Sequence, residues 1–247
     1  MLKSLAASRE WTVARLPSGR FDLLAFVPTT SPLDGRLTIY IEGDGLSWLS
    51  ASTPSDDPTP RNPVALRLAL AQPDGSAAYL GRPCQYVDAR QSGCSQSYWT
   101  DARFSPEVVR STNVAIDALK RRLGAKRLEL IGYSGGGAVA MLVAAQRNDV
   151  ARVVTIAGNL DHRAWTIHHR LEPLSGSLNA ADVAERVSAL PQIHYVGEKD
   201  TVIAPDLALR WPSAISGLQG ANLRIIPGFD HACCWVEQWS KLYPGKF

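Results

Sequence analysis

Residues 127–145 read RLELIGYSGGGAVAMLVAA. A segment rich in Leu and Ile runs into a glycine-flanked serine and then into a run of small and apolar residues. The first half suits a buried strand and the second a buried helix. Between them, Gly132-Tyr133-Ser134-Gly135-Gly136 has the G-x-S-x-G spacing of a sharp strand-to-helix turn. Such a turn strains the backbone at the serine, and flanking glycines remove the Cβ atoms that would collide. It also sets a helix N-terminus beneath the serine, where free N–H groups favour negative charge.

Working outward, the chain alternates strand-like and helix-like segments. Phe21 to Val27, Leu37 to Glu42 and Ala77 to Leu80 read as strands. Pro63 to Ala71 and Pro106 to Leu123 read as helices, the second with Ser105 as N-cap and Gly124 just past its end. Beyond the turn, Val153 to Ala157, Gln192 to Val196 and Leu223 to Ile226 read as strands, and Ala180 to Leu190 as a core helix. This alternation predicts a parallel, doubly wound sheet with helices on both faces. Ligands in such sheets bind past the C-terminal ends of the strands. The turns there span residues 42–45, 132–136, 158–162, 197–200 and 228–231, and each contains glycine.

Those turns carry the candidate chemistry. A serine hydroxyl is a poor nucleophile until a base removes its proton, and the base needs an orienting carboxylate. With Ser134 as nucleophile, the expected chain order is serine, acid, histidine. Asp200, in GEKDTV directly after a strand, is preferred as the acid; Asp161 is the alternative, and Glu198 ranks behind both. His231, in PGFDH after the final strand, is preferred as the base over His162, His168, His169 and His194. Asp200 follows Ser134 by 66 residues and His231 follows Asp200 by 31, which leaves room for a βα unit in each interval.

Acyl transfer also needs donors for a developing oxyanion. One is the backbone N–H of Gly135, and the other comes from Asp44 or Gly45 after the strand ending at Glu42. The usual pattern has histidine before the first glycine of that loop. Glu42 stands there instead, and its carboxylate is unfavourable unless it points away or is paired with arginine. The same holds for Asp44.

Composition excludes several classes. The 247 residues suit one large α/β domain, expected to span 1–247. Hydrophobic residues make up 45% and charged residues 20%, so the chain can bury a core and is not disordered as a whole. The longest apolar run, Ala138 to Ala145, is far short of the about 20 residues a membrane span requires. The net charge of +3 comes from scattered basic residues, with no aromatic-interleaved stripe for nucleic acid. No Cys/His spacing suits a metal, and no cofactor motif is found. The N-terminus lacks the apolar run of a secretion signal, so by itself it favours the cytoplasm. Cys84 and Cys94 flank a polar loop and suit either a small disulfide loop or two reduced thiols. Adjacent Cys233 and Cys234 are expected as packed thiols.

GYSGG, GEKDTV, PGFDH and EGDG together make residues 20–245 resemble the α/β-hydrolase superfamily. YIEGDGLSW, DPTPRNPVALRLA, YLGRPCQY, YWTDARFSPEVV and AGNLDHRAW are similar to a group of uncharacterised bacterial serine hydrolases. The resemblance implies an α/β-hydrolase fold without a large cap domain, with residues 158–177 as a short lid. It implies a serine hydrolase acting on a small-molecule acyl substrate, a Cys84–Cys94 disulfide, and a periplasmic or envelope location. Carboxylic ester cleavage is the leading expectation. Amide or peptide hydrolysis, acyl transfer with the same triad, and a non-catalytic binding protein on this scaffold are the alternatives. Trp48, Tyr133, Trp165 and Trp235 are candidate pocket residues. Oligomeric state is left open.

Overall fold

A computed structural model describes residues 9–50, 52–88, 93–213, 221–245 and 247, so the N-terminal reading falls largely outside the described residues. The sheet has eight strands: β1 (Trp11–Ser18), β2 (Phe21–Pro28), β3 (Arg36–Ile41), β4 (Ala77–Leu80), β5 (Arg127–Tyr133), β6 (Val150–Ile156), β7 (Gln192–Gly197) and β8 (Ala221–Ile226). Their order is β1-β2-β4-β3-β5-β6-β7-β8. The β1–β2 and β2–β4 pairs are antiparallel and all others are parallel.

Among the described residues, seven α-helices connect or flank these strands: α1 (Val64–Ala71), α2 (Pro106–Leu123), α3 (Gly135–Ala144), α4 (His162–His169), α5 (Pro205–Ala208), α6 (Arg210–Ser213) and α7 (Trp235–Leu242). The two-residue period of β3 divides its side chains between two cores. Leu37, Ile39 and Ile41 join α2 and α3 on one face, while Tyr40 joins α1 and α7 on the other. Helix α3 is buried along its whole length, as its uniformly apolar sequence requires. Helix α2 is amphipathic, with the Ser105 side chain accepting from Val108 N–H and Gly124 in the left-handed region at its end.

Register positions the site. Ile41 pairs with Gly132, so residues 42–45 leave the sheet beside the turn that holds Ser134. Gly197 pairs with Ile226, so the segments leading to Asp200 and His231 leave it together.

Two expectations are corrected. Strand β1, where no strand was read from the sequence, carries Pro17. It is an edge strand, where proline is tolerated, and Pro17 faces Asp22 in a tight hairpin. The expected core helix Ala180 to Leu190 is a 3₁₀ helix over Ala180–Val187, of which only Ala180, Ala184 and Val187 are buried. Residues 158–177 hold α4 and the connection after it. Among the described residues no helix is long and apolar enough to cross a membrane.

Candidate active site

Ser134 sits between β5 and α3 with φ 51° and ψ −122°, a strained conformation for a residue with a side chain. Its N–H is held by Ile156 C=O at 2.9 Å. The glycines around it are dictated by close packing. A Cβ on Gly132 would lie 2.2 Å from Gly136 O, and one on Gly136 would lie 2.3 Å from Ile41 O. Both contacts are with backbone, which cannot rotate away. Gly136→Ala therefore lowers the thermal midpoint by roughly 5–10 °C, a core overpacking penalty in a chain of this size. A melt within a degree of wild type would contradict this packing.

The side chains predicted as nucleophile, base and acid meet. Ser134 Oγ lies 3.1 Å from His231 Nε2, and His231 Nδ1 lies 2.9 Å from Asp200 Oδ2. A carboxylate only accepts, so the imidazole carries its proton on Nδ1 and leaves Nε2 free to take the serine proton. Asp200 is 2% exposed, and its Oδ1 accepts from Val202 and Ile203 N–H, both at 2.8 Å. These bonds fix the carboxylate from behind.

The competing candidates have other partners. Asp161 caps α4, accepting from Arg163 and Ala164 N–H and from Asn179 Nδ2. Glu198 accepts from Gly228 N–H. His194 is buried in β7 between Thr155 and Gln192, and burial pushes its pKa down to about 3. His169 bonds Val202 C=O and His168 lies 3.9 Å from Asp206.

Around Ser134 is a cavity of about 640 Å³. Trp48, Tyr133 and Trp165 line it, as do Asp44 and Gly45. Trp235 does not, which corrects its expected place in the pocket. It is fully buried at the start of α7, and its Nε1 donates to the carbonyls of Asp230 and His231. A tryptophan four residues past a rim turn packs beneath that turn as readily as it lines the pocket. Tyr133 Oη also donates to His231 C=O at 3.1 Å, so that carbonyl is held from two sides.

The two acids of the 42–45 loop are handled differently. Asp44 Oδ2 is 2.9 Å from Arg103 Nη1 and its Oδ1 is 3.3 Å from Arg82 Nη1. Two nearly buried guanidiniums thus face one carboxylate, a local excess of positive charge. The Asp44 carboxylate lies against Gly135, where a Cβ would fall 2.0 Å from Oδ1. Glu42 is 1% exposed and lines the cavity floor. Its Oε1 accepts from Gly43 N–H at 3.0 Å and Ala65 N–H at 3.4 Å.

Gln85 completes the clamp: its Nε2 donates to Gly43 C=O and its Oε1 accepts from Arg82 N–H. Cys84, between Arg82 and Gln85, is disulfide-bonded to Cys94. Cys233 and Cys234, expected as packed thiols, are also disulfide-bonded; a cis peptide bond holds their Cα atoms 3.2 Å apart, closer than a trans bond allows.

Arg82, Arg103 and Gln85 were missed in the sequence. Arg82 follows β4 after one intervening residue, in a rim turn not among the five read from the sequence. Among the described residues no group of three or more His, Cys, Asp or Glu is placed to hold a metal.

No protein-family profile matches the chain, and no curated protein matches it in sequence. Solved structures do match. Est1E from Butyrivibrio proteoclasticus is 14% identical over 93% of this chain and 95% of its own, with a TM-score of 0.62. An esterase from Pyrococcus furiosus is 12% identical over 98% and 91%, with a TM-score of 0.66. A puromycin-hydrolyzing peptidase from Mycobacterium tuberculosis is 15% identical over 94% of this chain but 37% of its own, with a TM-score of 0.67. The sheet order, the elbow at Ser134 and these likenesses agree: the chain has the α/β-hydrolase fold.

Proposed function

We propose that this chain is a serine hydrolase that cleaves carboxylic esters through an acyl-enzyme. The observation that carries the proposal is the continuous relay from Ser134 Oγ through His231 to Asp200 in the wall of the cavity. Ser134 attacks the carbonyl carbon while His231 Nε2 takes its proton. Asp200 stabilises the imidazolium that results. The oxyanion meets the N–H of Gly135 and that of Asp44 or Gly45, and none of these bonds another described residue. His231 then protonates the departing alcohol, and water repeats the sequence to release the acid. The described residues fold as a single domain, and residues 158–177 form a short cover that adds Trp165 to the cavity.

Esters are favoured over amides by length. The Pyrococcus furiosus esterase is matched over nine-tenths of its own length, whereas the puromycin-hydrolyzing peptidase extends well beyond the match. A second cavity of about 440 Å³ shares Trp48, Arg103 and Trp165 with the first and is walled by Leu49, Leu171 and Leu174. It suits an apolar acyl or aryl group. With p-nitrophenyl esters, kcat/KM is expected to rise about tenfold or more from acetyl to hexanoyl, since each buried methylene contributes roughly 0.8 kcal/mol. Matching p-nitroanilides are expected to turn over far more slowly. A preference for acetyl would contradict the apolar subsite, and anilide rates equal to ester rates would contradict the ester assignment.

A further inference from the structure

We propose that Glu42 works as a neutral carboxylic acid whose proton lets the turn at residues 43–45 accept a developing negative charge, so that its ionisation shuts the site down. The proposal rests on the serine hydrolase reading above. It starts from where Glu42 lies and from what its two oxygens meet.

Glu42 follows β3, and the next two residues open the loop assigned to the oxyanion. Its side chain is buried yet borders the cavity that contains Ser134 and His231. Oε1 is shared by two backbone donors, Gly43 N–H and Ala65 N–H in the first turn of α1. That bridge ties the loop to the helix. Because Gly43 N–H is consumed, the free donors of the loop are those of Asp44 and Gly45. Oε2 makes no hydrogen bond of ordinary geometry to a described residue, with only the Tyr79 hydroxyl and Leu66 N–H near enough to favour charge on the carboxyl group. A carboxylate there would hold charge on an oxygen buried from water and without a well-formed hydrogen bond, whereas a carboxylic acid keeps Oε1 as acceptor and neutralises the other oxygen.

The groups around Glu42 do little to favour its ionised form. Helix α1 presents Val64, Ala65 and Leu66. Strand β4 presents Tyr79, the turn after it Tyr86 and Arg82, and the end of β5 Tyr133. All three tyrosines are pushed above their ordinary value by burial and stay neutral across the working range. Arg82 is the one cation facing Glu42 among the described residues, and it is engaged by Asp44. Burial nonetheless raises Glu42 to about 7, outweighing the opposing hydrogen-bond contributions of Gly43, Ala65, Tyr79 and Leu66. On the acid side activity needs neutral His231, and on the alkaline side it needs protonated Glu42. The two requirements make a bell-shaped profile.

The test has two readouts. The first is kcat/KM for one ester from pH 5 to 9 in wild type, Glu42→Gln and Ser134→Ala. Glutamine keeps the Oε1 acceptor but cannot ionise. Wild type is expected to lose activity above about pH 7, by up to about tenfold per pH unit, while Glu42→Gln holds a plateau to pH 9. The second readout is the urea midpoint of wild type against pH, which needs neither activity nor a variant. The folded-state value of about 7 lies above the ordinary 4.5, so the folded chain binds more protons between them. Stability from this group is full below about 4.5 and is lost as pH rises through about 7.

A falling wild-type midpoint over that window, flattened in Glu42→Gln, supports the proposal. An alkaline limb unchanged in Glu42→Gln, or a wild-type midpoint that does not fall, overturns it. Should Glu42→Gln not fold, the two wild-type curves decide. Turnover that is absent at every pH, or that stays near the wild-type rate in Ser134→Ala, overturns the hydrolase reading instead, and the proposal with it.

Discussion

Alanine at Ser134 or at His231 is expected to lower kcat on a p-nitrophenyl ester by roughly 10⁶, and the double variant is expected to be no worse than either single one. The reason is geometric. Ser134 Oγ and His231 Nε2 lie 3.1 Å apart and form one proton-transfer unit, so removing either half removes the whole. Asp200→Asn should cost less, roughly 10⁴, because it leaves both reacting groups in place. An amide can offer its N–H to His231, which stabilises the wrong tautomer and puts the proton on Nε2, where the serine needs a base. Residual activity persists in every variant, since the Gly135 donor and the cavity remain. Additive losses in the double variant, or near-normal turnover in His231→Ala, would contradict the relay.

Asp44→Ala is expected to have the largest effect on stability, about 3–5 kcal/mol by urea titration. Its carboxylate is the ionic partner of two arginines whose side chains are 5% and 7% exposed. Removing it leaves both cations buried without a counter-charge. Arg82 is further committed to Arg103 C=O, and Arg103 to Thr100 C=O, so neither side chain can swing out to water without breaking those bonds. Replacing Arg103 by leucine in the Asp44→Ala background should recover part of the loss, because one uncompensated charge is removed with it. A single variant within about 1 kcal/mol of wild type, or a double variant less stable than the single, would contradict this reading.

The legible part of the fold was the part written in local pattern. Residues 127–145 carried strand, turn and helix in one run, and the crowding at Gly132 and Gly136 explains why that run must contain glycine. The approach of Asp200 and His231 to Ser134 was readable because each lies in the turn after a strand, where side chains of a parallel sheet converge. Arg82 and Arg103 were not. Nothing in the neighbourhood of either residue marks it as buried, and their shared partner lies 38 and 59 residues away in sequence. Glu42 was recognised as a departure from pattern, but whether it pointed away from the loop or was paired depended on α1 and β4, which the local sequence does not place. Trp235 was misread because a rim tryptophan can face the cavity or the core, and only the tilt of α7 decides which.

The most direct test of Ser134 as the nucleophile is labelling with a fluorophosphonate probe, read by intact-mass spectrometry and peptide mapping. The expected result is one adduct on wild type, located on Ser134, and none on Ser134→Ala. Labelling that persists in Ser134→Ala, or a folded wild-type protein that takes no label, would contradict it.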